Sequence, residues 1–202
     1  MQLFPPGGVL GLNEPTPVQQ QATEPARSAE FTTFMRAYQD MVFSTAARLT
    51  GNDAQAEDIA QDAFVKAYEN FSHLRSSPTA GGWLKTVTTN LALNHLTRYR
   101  KRWRFLSEFD APTADAQPEL QFPLPDTLLA DLEQEQRRGV IDQALKRLPD
   151  LQRVPLVLYH FEELSYEEIA ARLHASLAKV KTDIRRARMA LLPMLESGGI
   201  AP

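Results

Sequence analysis

The sequence predicts an all-α protein of two small helical domains joined by a flexible acidic linker. Apolar residues recur every three or four positions along most of the 202-residue chain, and no segment alternates apolar and polar residues as a half-buried strand does. Stretches rich in proline and acidic residues, typical of flexible segments, occupy 1–28 and 107–136. We therefore place the helical domains at 29–106 and 137–196, followed by a tail at 197–202.

Two long amphipathic helices open the first domain. The first carries its apolar residues between Phe31 and Leu49, and Gly51 follows it at the position where glycine commonly ends a helix. Asn52 or Asp53 can cap the second helix, because either side chain can accept a hydrogen bond from its first turn.

A break in the pattern between residues 73 and 82 contains Pro78 and a glycine pair. We expect a loop there, and a third helix that begins near Trp83 and ends near Phe105. Trp83 shares the helical spacing of Leu84 and so fits the apolar core better than an exposed platform for a nucleic-acid base.

The second domain reads as four helices with a helix-turn-helix at its end. Helices are expected around 140–148 and 154–160. Ser165 and Glu168 form a capping-box pattern before a short helix, and Ser176 can cap the last helix after a short turn. In a helix-turn-helix the second helix enters the major groove of DNA.

The net charge of −3 for the whole chain argues against a nucleic-acid partner, but the charge is unevenly distributed among its segments. Residues 1–30 carry one basic and three acidic side chains, and residues 111–140 carry two basic and six acidic ones. The helical domains instead hold two dense basic clusters, which suggest two nucleic-acid contacts, although solvated helix faces would look the same. The clusters are Arg98, Arg100, Lys101, Arg102 and Arg104, and Lys179, Lys181, Arg185, Arg186 and Arg188.

Composition and motifs also limit the kinds of site that this protein is expected to contain. The chain has no cysteine, which excludes disulfides and Cys-ligated metals. No apolar run approaches the roughly 20 residues of a membrane span, and the N-terminus lacks the pattern of a secretory signal, so we expect a cytoplasmic protein without membrane insertion. No nucleotide-binding, hydrolase or zinc-protease motif occurs, and we expect no catalytic residue, cofactor, metal or small-molecule substrate. The four histidines lack metal-ligand spacing: His73, His95, His160 and His174.

Five sequence blocks resemble the extracytoplasmic-function (ECF) sigma factors, group IV of the bacterial sigma-70 family. They read AEDIAQDAF at 56–64, GGWLKTVTTNLALNHL at 81–96, ALKRLP at 144–149, LSYEEIAARL at 164–173 and VKTDIRRARMAL at 180–191. The resemblance implies sigma region 2 in the first domain and region 4 in the second. It also implies a factor that directs promoter-specific transcription initiation, with core RNA polymerase, promoter DNA and an anti-sigma factor as partners.

The resemblance assigns Asp58, Gln61 and Asp62 to the surface that binds core polymerase. A solvated acidic face, or compensation of the helix dipole by Glu57 and Asp58, is the alternative. The loop at 73–82 would capture an unstacked base of the −10 element. It has no aromatic residue, and aromatic stacking is worth about 1–3 kcal/mol per base, so we expect such a factor to need a closer promoter match.

The remaining −10 contacts are expected along the loop and the third helix, including the basic run. The set is Ser76, Ser77, Thr79, Lys85, Thr89, Asn90, Asn94, Arg98, Arg100, Lys101 and Arg102.

Region 4 would read the −35 element with the last helix. The expected contacts are Ser176, Lys179, Lys181, Thr182, Arg185, Arg186 and Arg188. The family usually has a basic residue where this chain has Asp183, and often glycine where it has His174. Asp183 would face phosphate unfavourably, accept from a cytosine amine, or pair with Lys179 or Arg186 along the helix.

The sequence leaves two questions open: the role of the linker, and whether the protein acts with polymerase. The linker is either a spacer or a segment that threads toward the polymerase active cleft. A helix-turn-helix regulator that acts without polymerase would account for residues 164–191, but it would leave the block at 56–64 unexplained.

Overall fold

The computed structural model describes residues 24–100 and 131–199, and every regular element in those ranges is a helix. The all-α prediction is confirmed. The helices are α1 (Glu24–Thr50), α2 (Asp53–Glu69), α3 (Phe71–Leu74), α4 (Ala80–Arg100), α5 (Asp131–Arg147), α6 (Asp150–His160), α7 (Tyr166–Leu173) and α8 (Leu177–Ser197). Within the described part of the chain, no helix is long and apolar enough to cross a membrane.

Helices α1, α2 and α4 pack together to form the first domain. Their contact buries Val42 of α1, Ala63 and Ala67 of α2, and Leu84 of α4. Asn52, and not Asp53, caps α2, since its side chain accepts from the backbone N–H of Gln55 at 3.0 Å. The small buried residues of α2 allow close approach of the helix to α1.

The break between α2 and α4 is shorter than the sequence suggests. A single helical turn, α3, buries Phe71 and Leu74, and α4 begins at Ala80 rather than near Trp83. Gly81 is therefore helical, and a Cβ at that position would lie 3.1 Å from Cε1 of Tyr38. A glycine that reads as a helix breaker instead allows α1 and α4 to approach each other. The predicted end of this helix near Phe105 lies outside the described residues.

The second domain contains the predicted helix-turn-helix, formed by α7 and α8. Both halves of the capping box are present: the Ser165 hydroxyl accepts from the backbone N–H of Glu168 at 3.2 Å, and the Glu168 carboxylate accepts from that of Ser165 at 2.8 Å. The Ser176 hydroxyl caps α8 by accepting from the backbone N–H of Lys179 at 3.2 Å. Between the helices, His174 adopts the left-handed conformation with φ 52°. Helix α5 begins at Asp131, inside the stretch expected to be linker.

One apolar core joins the two domains. It contains Leu49 and Ile59 from the first domain together with Leu148, Val157 and Leu158 from the second, all nearly inaccessible to solvent. The carboxyl end of α1 therefore packs directly against α6, and the two domains contact each other in this structure.

Candidate nucleic-acid interfaces

The outer side of α2 carries an acidic face. Asp58, Gln61 and Asp62 are exposed and lie three and four residues apart, so they share one side of the helix, while Ile59 on the opposite side is buried. Val65, one turn further on, is 58% exposed. We call Asp58, Gln61, Asp62 and Val65 the α2 face. The sequence-based prediction did not include Val65 in this surface, although its position seven residues after Asp58 places it on the same side of the helix.

The loop between α3 and α4 borders an aromatic cavity. Ser76 is exposed and lines a cavity of 690 Å³ together with Arg75 and three aromatic side chains. The rings are those of Phe34, Tyr38 and Phe71, with Phe34 4.9 Å from Tyr38 and 5.5 Å from Phe71 between centroids. The loop contains no aromatic residue, but α1 and α3 supply aromatic residues beside it. Phe71 lies two residues before the predicted loop, but nothing in the sequence near the loop indicates Phe34 and Tyr38.

The other two polar residues of the loop bond to each other. The Ser77 and Thr79 hydroxyls lie 2.9 Å apart, and the backbone N–H of Thr79 donates to the Ser77 hydroxyl at 3.2 Å. This local network fixes the short loop ahead of α4.

The predicted contact residues of α4 fall on two different sides. Asn90 and Asn94 are exposed. Thr89 is only 1% exposed, and its hydroxyl donates to Oε2 of Glu162 at 3.1 Å. The ammonium of Lys85 lies 3.8 Å from Oε1 of Glu162 and also donates to the carbonyl of Phe161. The side chains of the basic run that begins at Arg98 lie outside the described residues.

The exposed side of α8 is basic. Lys181, Arg185 and Arg186 are exposed, and we call these three residues the α8 face. The Lys181 ammonium lies 5.8 Å from the ring centroid of Tyr166 in α7, so the two helices of the motif meet at this surface. Ser176 stands at the amino end of the helix as its cap.

Three predicted −35 contacts are less open. Thr182 is half-buried, and its hydroxyl donates to the carbonyl of Ala178 at 2.9 Å. Lys179 pairs with Asp183 at 3.3 Å. Arg188 is half-buried, with its guanidinium 5.4 Å from the ring centroid of Tyr159.

Asp183 lies on the packing side of α8 and is only 7% exposed. Of the sequence-based alternatives, the structure shows the pairing with Lys179. Asp183 was not recognised as an inward-facing residue, although it precedes buried Ile184.

Burial sets the ionisation of two groups between the helices. Burial raises the pKa of the Glu162 carboxyl, and the nearby Lys85 ammonium and Thr89 hydroxyl partly oppose this effect. The pKa of His160 is lowered by burial and, secondly, by the Arg188 guanidinium, whose Nη2 lies 3.4 Å from Nε2 of the ring. The described residues contain no cluster of His, Asp and Glu that could hold a metal ion.

Comparison with known proteins matches both domains to one family. The family models for Sigma-70 region 2 and Sigma-70, region 4 match residues 34–104 and 138–191. The ECF RNA polymerase sigma factor SigW of Bacillus subtilis is 32% identical over 161 residues, which cover 78% of this chain and 84% of that protein. RNA polymerase sigma-H factor of Pseudomonas aeruginosa is 32% identical over 161 residues, which cover 76% of this chain and 80% of that protein.

A further relative and a solved structure extend the comparison. The ECF RNA polymerase sigma factor SigE of Mycolicibacterium smegmatis is 37% identical over 160 residues, covering 78% of this chain and 58% of that protein. The co-crystal structure of the sigma factor RpoE with the anti-sigma factor NepR from Bartonella quintana aligns at 23% identity and a TM-score of 0.43, over 83% of this chain and 97% of that one. Sigma factors are transcription initiation factors rather than catalysts. Because both region models match in order, and relatives above 30% identity align over most of their length, this chain belongs to the ECF sigma factors of bacterial RNA polymerase.

Proposed function

We propose that this protein is a group IV sigma factor of the cytoplasm that has no catalytic activity of its own. It would bring core RNA polymerase to promoters with defined −10 and −35 elements. The observation that carries the proposal is the separation of an acidic α2 face and a basic α8 face on a chain that matches both sigma regions. A helix-turn-helix regulator acting without polymerase would need only the basic α8 face.

The α2 face is the proposed docking surface for core polymerase. Asp58 and Asp62 offer carboxylates and Gln61 an amide, and the exposed side chain of Val65 follows them one turn further along the helix. Carboxylates next to an exposed apolar side chain suit a protein partner better than DNA, whose phosphates would repel the carboxylates.

The loop and α4 are proposed to bind the −10 element. The aromatic cavity beside Ser76 is the proposed place for an unstacked base, because the half-buried rings of Phe34 and Tyr38 that line it can stack on any nucleobase. The Arg75 guanidinium beside the cavity is paired with Glu30 at 3.5 Å. Ser77 and Thr79 would shape the loop, and Asn90 and Asn94 would contact the strand along α4. Phosphate contacts are assigned to Lys85, Thr89, Arg98, Arg100, Lys101 and Arg102.

The α8 face is proposed to bind the −35 element. Lys181 lies near the amino end of the helix, where base edges are read, and Arg185 and Arg186 lie on later turns suited to phosphate. Ser176, Lys179 and Thr182 complete the amino-terminal contacts. Arg188 fits a supporting role, because its stacking over Tyr159 ties α8 to α6.

An anti-sigma factor is the proposed regulatory partner. Its expected surface is one that covers the α2 face, the α8 face or both, because those surfaces must be withheld to keep the factor inactive. A tight complex that leaves both faces open to solvent would contradict this assignment.

Reconstituted transcription tests the proposal. Purified core polymerase with this protein should give run-off transcripts from a pool of genomic promoters, and core alone should not. The double variant Asp58→Asn/Asp62→Asn should weaken binding to core about tenfold or more, since it removes central charges of the interface. Binding of promoter DNA by the free protein should not change.

A matched control lies on the same helix. Glu57→Gln removes one carboxylate charge from an exposed position of α2 that lies about 100° around the helix from Asp58, and so outside the α2 face. It should leave binding to core unchanged, whereas Asp58→Asn alone should weaken that binding. Failure of the wild-type protein to bind core, together with dimeric binding to a palindromic site, would overturn the proposal in favour of a polymerase-independent regulator.

A further inference from the structure

Glu162 reaches from the second domain to the proposed −10 surface of α4. It follows the end of α6, and its side chain is only 8% exposed. Its two oxygens have different partners: Oε2 accepts from the Thr89 hydroxyl at 3.1 Å, and Oε1 faces the Lys85 ammonium at 3.8 Å. The carbonyl of Phe161 takes a further hydrogen bond from Lys85. The contact therefore engages the Thr89 hydroxyl and one donor of the Lys85 ammonium, and the Lys85 side chain stays 37% exposed.

Neighbouring contacts between the domains hold this segment in place. The Arg48 guanidinium of α1 lies 4.4 Å from the ring centroid of Phe161, and its Nε donates to Asp142 at 2.7 Å. On the other side of Glu162, Glu163 has φ 56°, so the chain turns sharply there. The Glu162 side chain is thus directed at α4 by the backbone of its turn and by the packing of Phe161.

The chemistry of the contact is that of a phosphate site. A hydroxyl that donates to one oxygen of an anion, with an ammonium facing the other oxygen, is a usual arrangement for binding DNA backbone. A carboxylate presents the same kind of acceptor to the same donors. Glu162 therefore stands where a phosphate of the −10 strand would lie if Lys85 and Thr89 contact DNA.

We propose that Glu162 is an intramolecular competitor of promoter DNA that masks the −10 surface of the free protein. The inference rests on the proposed role of Lys85 and Thr89 in −10 binding. The masking is one-sided, because the α8 face remains exposed in the same arrangement. Release of Glu162 from α4 is then a step that must precede full engagement of the −10 element.

The contact has the character of one that can be displaced. Burial raises the pKa of Glu162 despite the adjacent Lys85, so desolvation of the carboxylate outweighs the attraction of its neighbours. A buried ion pair of this kind adds little net stability. A phosphate of DNA can therefore compete for the same donors.

Fluorescence energy transfer measures whether Glu162 keeps the domains closed. The chain has no cysteine, so Glu69→Cys and Glu167→Cys, both at exposed positions, give one label on each domain. Glu162→Gln should lower the transfer efficiency of the free protein. Glu163→Gln, the adjacent exposed residue with the same change of charge, should leave it unchanged. Glu162→Ala provides a second variant, and far-UV circular dichroism checks that each one is folded.

Binding to a labelled single-stranded −10 oligonucleotide measures the masking itself. By anisotropy, Glu162→Gln should bind about threefold to tenfold more tightly than wild type, the range expected for loss of one competing charged hydrogen bond, and Glu163→Gln should match wild type. Unchanged transfer efficiency and unchanged affinity in both Glu162 variants would overturn the proposal. Lower transfer efficiency with unchanged affinity would also overturn it, since Glu162 would then join the domains without masking DNA.

A Lys85→Ala variant separates this proposal from the one on which it rests. In the holoenzyme it should reduce run-off transcription, and in the Glu162→Gln background it should abolish the gain in oligonucleotide affinity. Unchanged transcription by the Lys85→Ala holoenzyme would remove Lys85 from the −10 surface, whatever the domain distance. Reduced transcription with no gain from Glu162→Gln would keep the −10 role and exclude the masking.

Discussion

Gly51→Ala tests the junction between the two domains most directly. Gly51 follows α1 with φ 66°, and a Cβ built there would lie 2.5 Å from Cζ of Arg153. The Arg153 side chain comes from α6 and is only 4% exposed. It donates to the carbonyls of Thr50 at 2.7 Å and Leu148 at 2.8 Å, and to the carboxylate of Asp150. A cation thus closes the carboxyl end of α1, where the helix dipole favours it.

Two costs add to give the expected loss of stability. A side chain other than glycine in the left-handed conformation costs about 1–2 kcal/mol. The added methyl also forces the guanidinium of Arg153 to move, and because it is buried, it loses at least one hydrogen bond worth about 1.5–3 kcal/mol. We therefore expect Gly51→Ala to lower the free energy of unfolding by about 2.5–5 kcal/mol.

Gly82→Ala is the control. Gly82 lies in the first turn of α4, and a Cβ there would meet nothing within 4 Å. Alanine should therefore raise the free energy of unfolding by about 0.5–1 kcal/mol, because it restricts the unfolded chain. Urea unfolding followed by circular dichroism at 25 °C measures both variants. A loss below about 1 kcal/mol for Gly51→Ala, the average for any substitution, would refute the close approach of Arg153.

Three local predictions concern the second domain. His174→Gly should raise the free energy of unfolding, measured in urea, by about 0.5–1 kcal/mol. Glycine avoids the cost of the left-handed conformation at φ 52°, and this gain exceeds the extra conformational entropy that glycine loses on folding. Ser165→Ala should cost about 1 kcal/mol in urea unfolding, because it removes the cap hydrogen bond to Glu168. Since the pKa of His160 is lowered by burial and Arg188, the folded state favours the neutral ring. The stability that the neutral His160 ring provides is therefore present at pH values above its ordinary pKa of 6.5, and it is lost as the pH falls below that value. Urea midpoints should accordingly depend less on pH in His160→Gln.

Local sequence signals were sufficient for most of the fold. The capping box at Ser165 and Glu168 and the cap at Asn52 act within one helical turn, so the sequence contains the whole interaction. The start of α4 was wrong for a tertiary reason. Gly81 disfavours a helix in isolation, but its missing side chain lets Tyr38 approach, and the burial of Ala80 and Leu84 outweighs the propensity.

The candidate surfaces were predictable only where one helix supplies them. Helical spacing alone brings Asp58 and Asp62 to one side of α2. The rings of Phe34 and Tyr38 reach the loop from about 40 residues away, and Glu162 meets Thr89 across 73 positions. Such contacts depend on how helices pack, for which a single sequence carries no periodic signal.

The junction at Gly51 and the contact of Glu162 should act on one equilibrium. If the closed protein masks −10 DNA, its apparent affinity is the intrinsic affinity multiplied by the fraction that is open. Because Arg153 joins α6 to the carbonyl end of α1, Gly51→Ala should shift the protein toward the open form and tighten binding of the −10 oligonucleotide, although Gly51 is not a proposed DNA contact. Gly139→Ala, in α5 where a Cβ would meet nothing within 4 Å, should leave that affinity unchanged. A Gly51→Ala protein that is less stable but binds the oligonucleotide as wild type does would show that Arg153 stabilises the fold without controlling the mask. The masking would then depend on Glu162 alone.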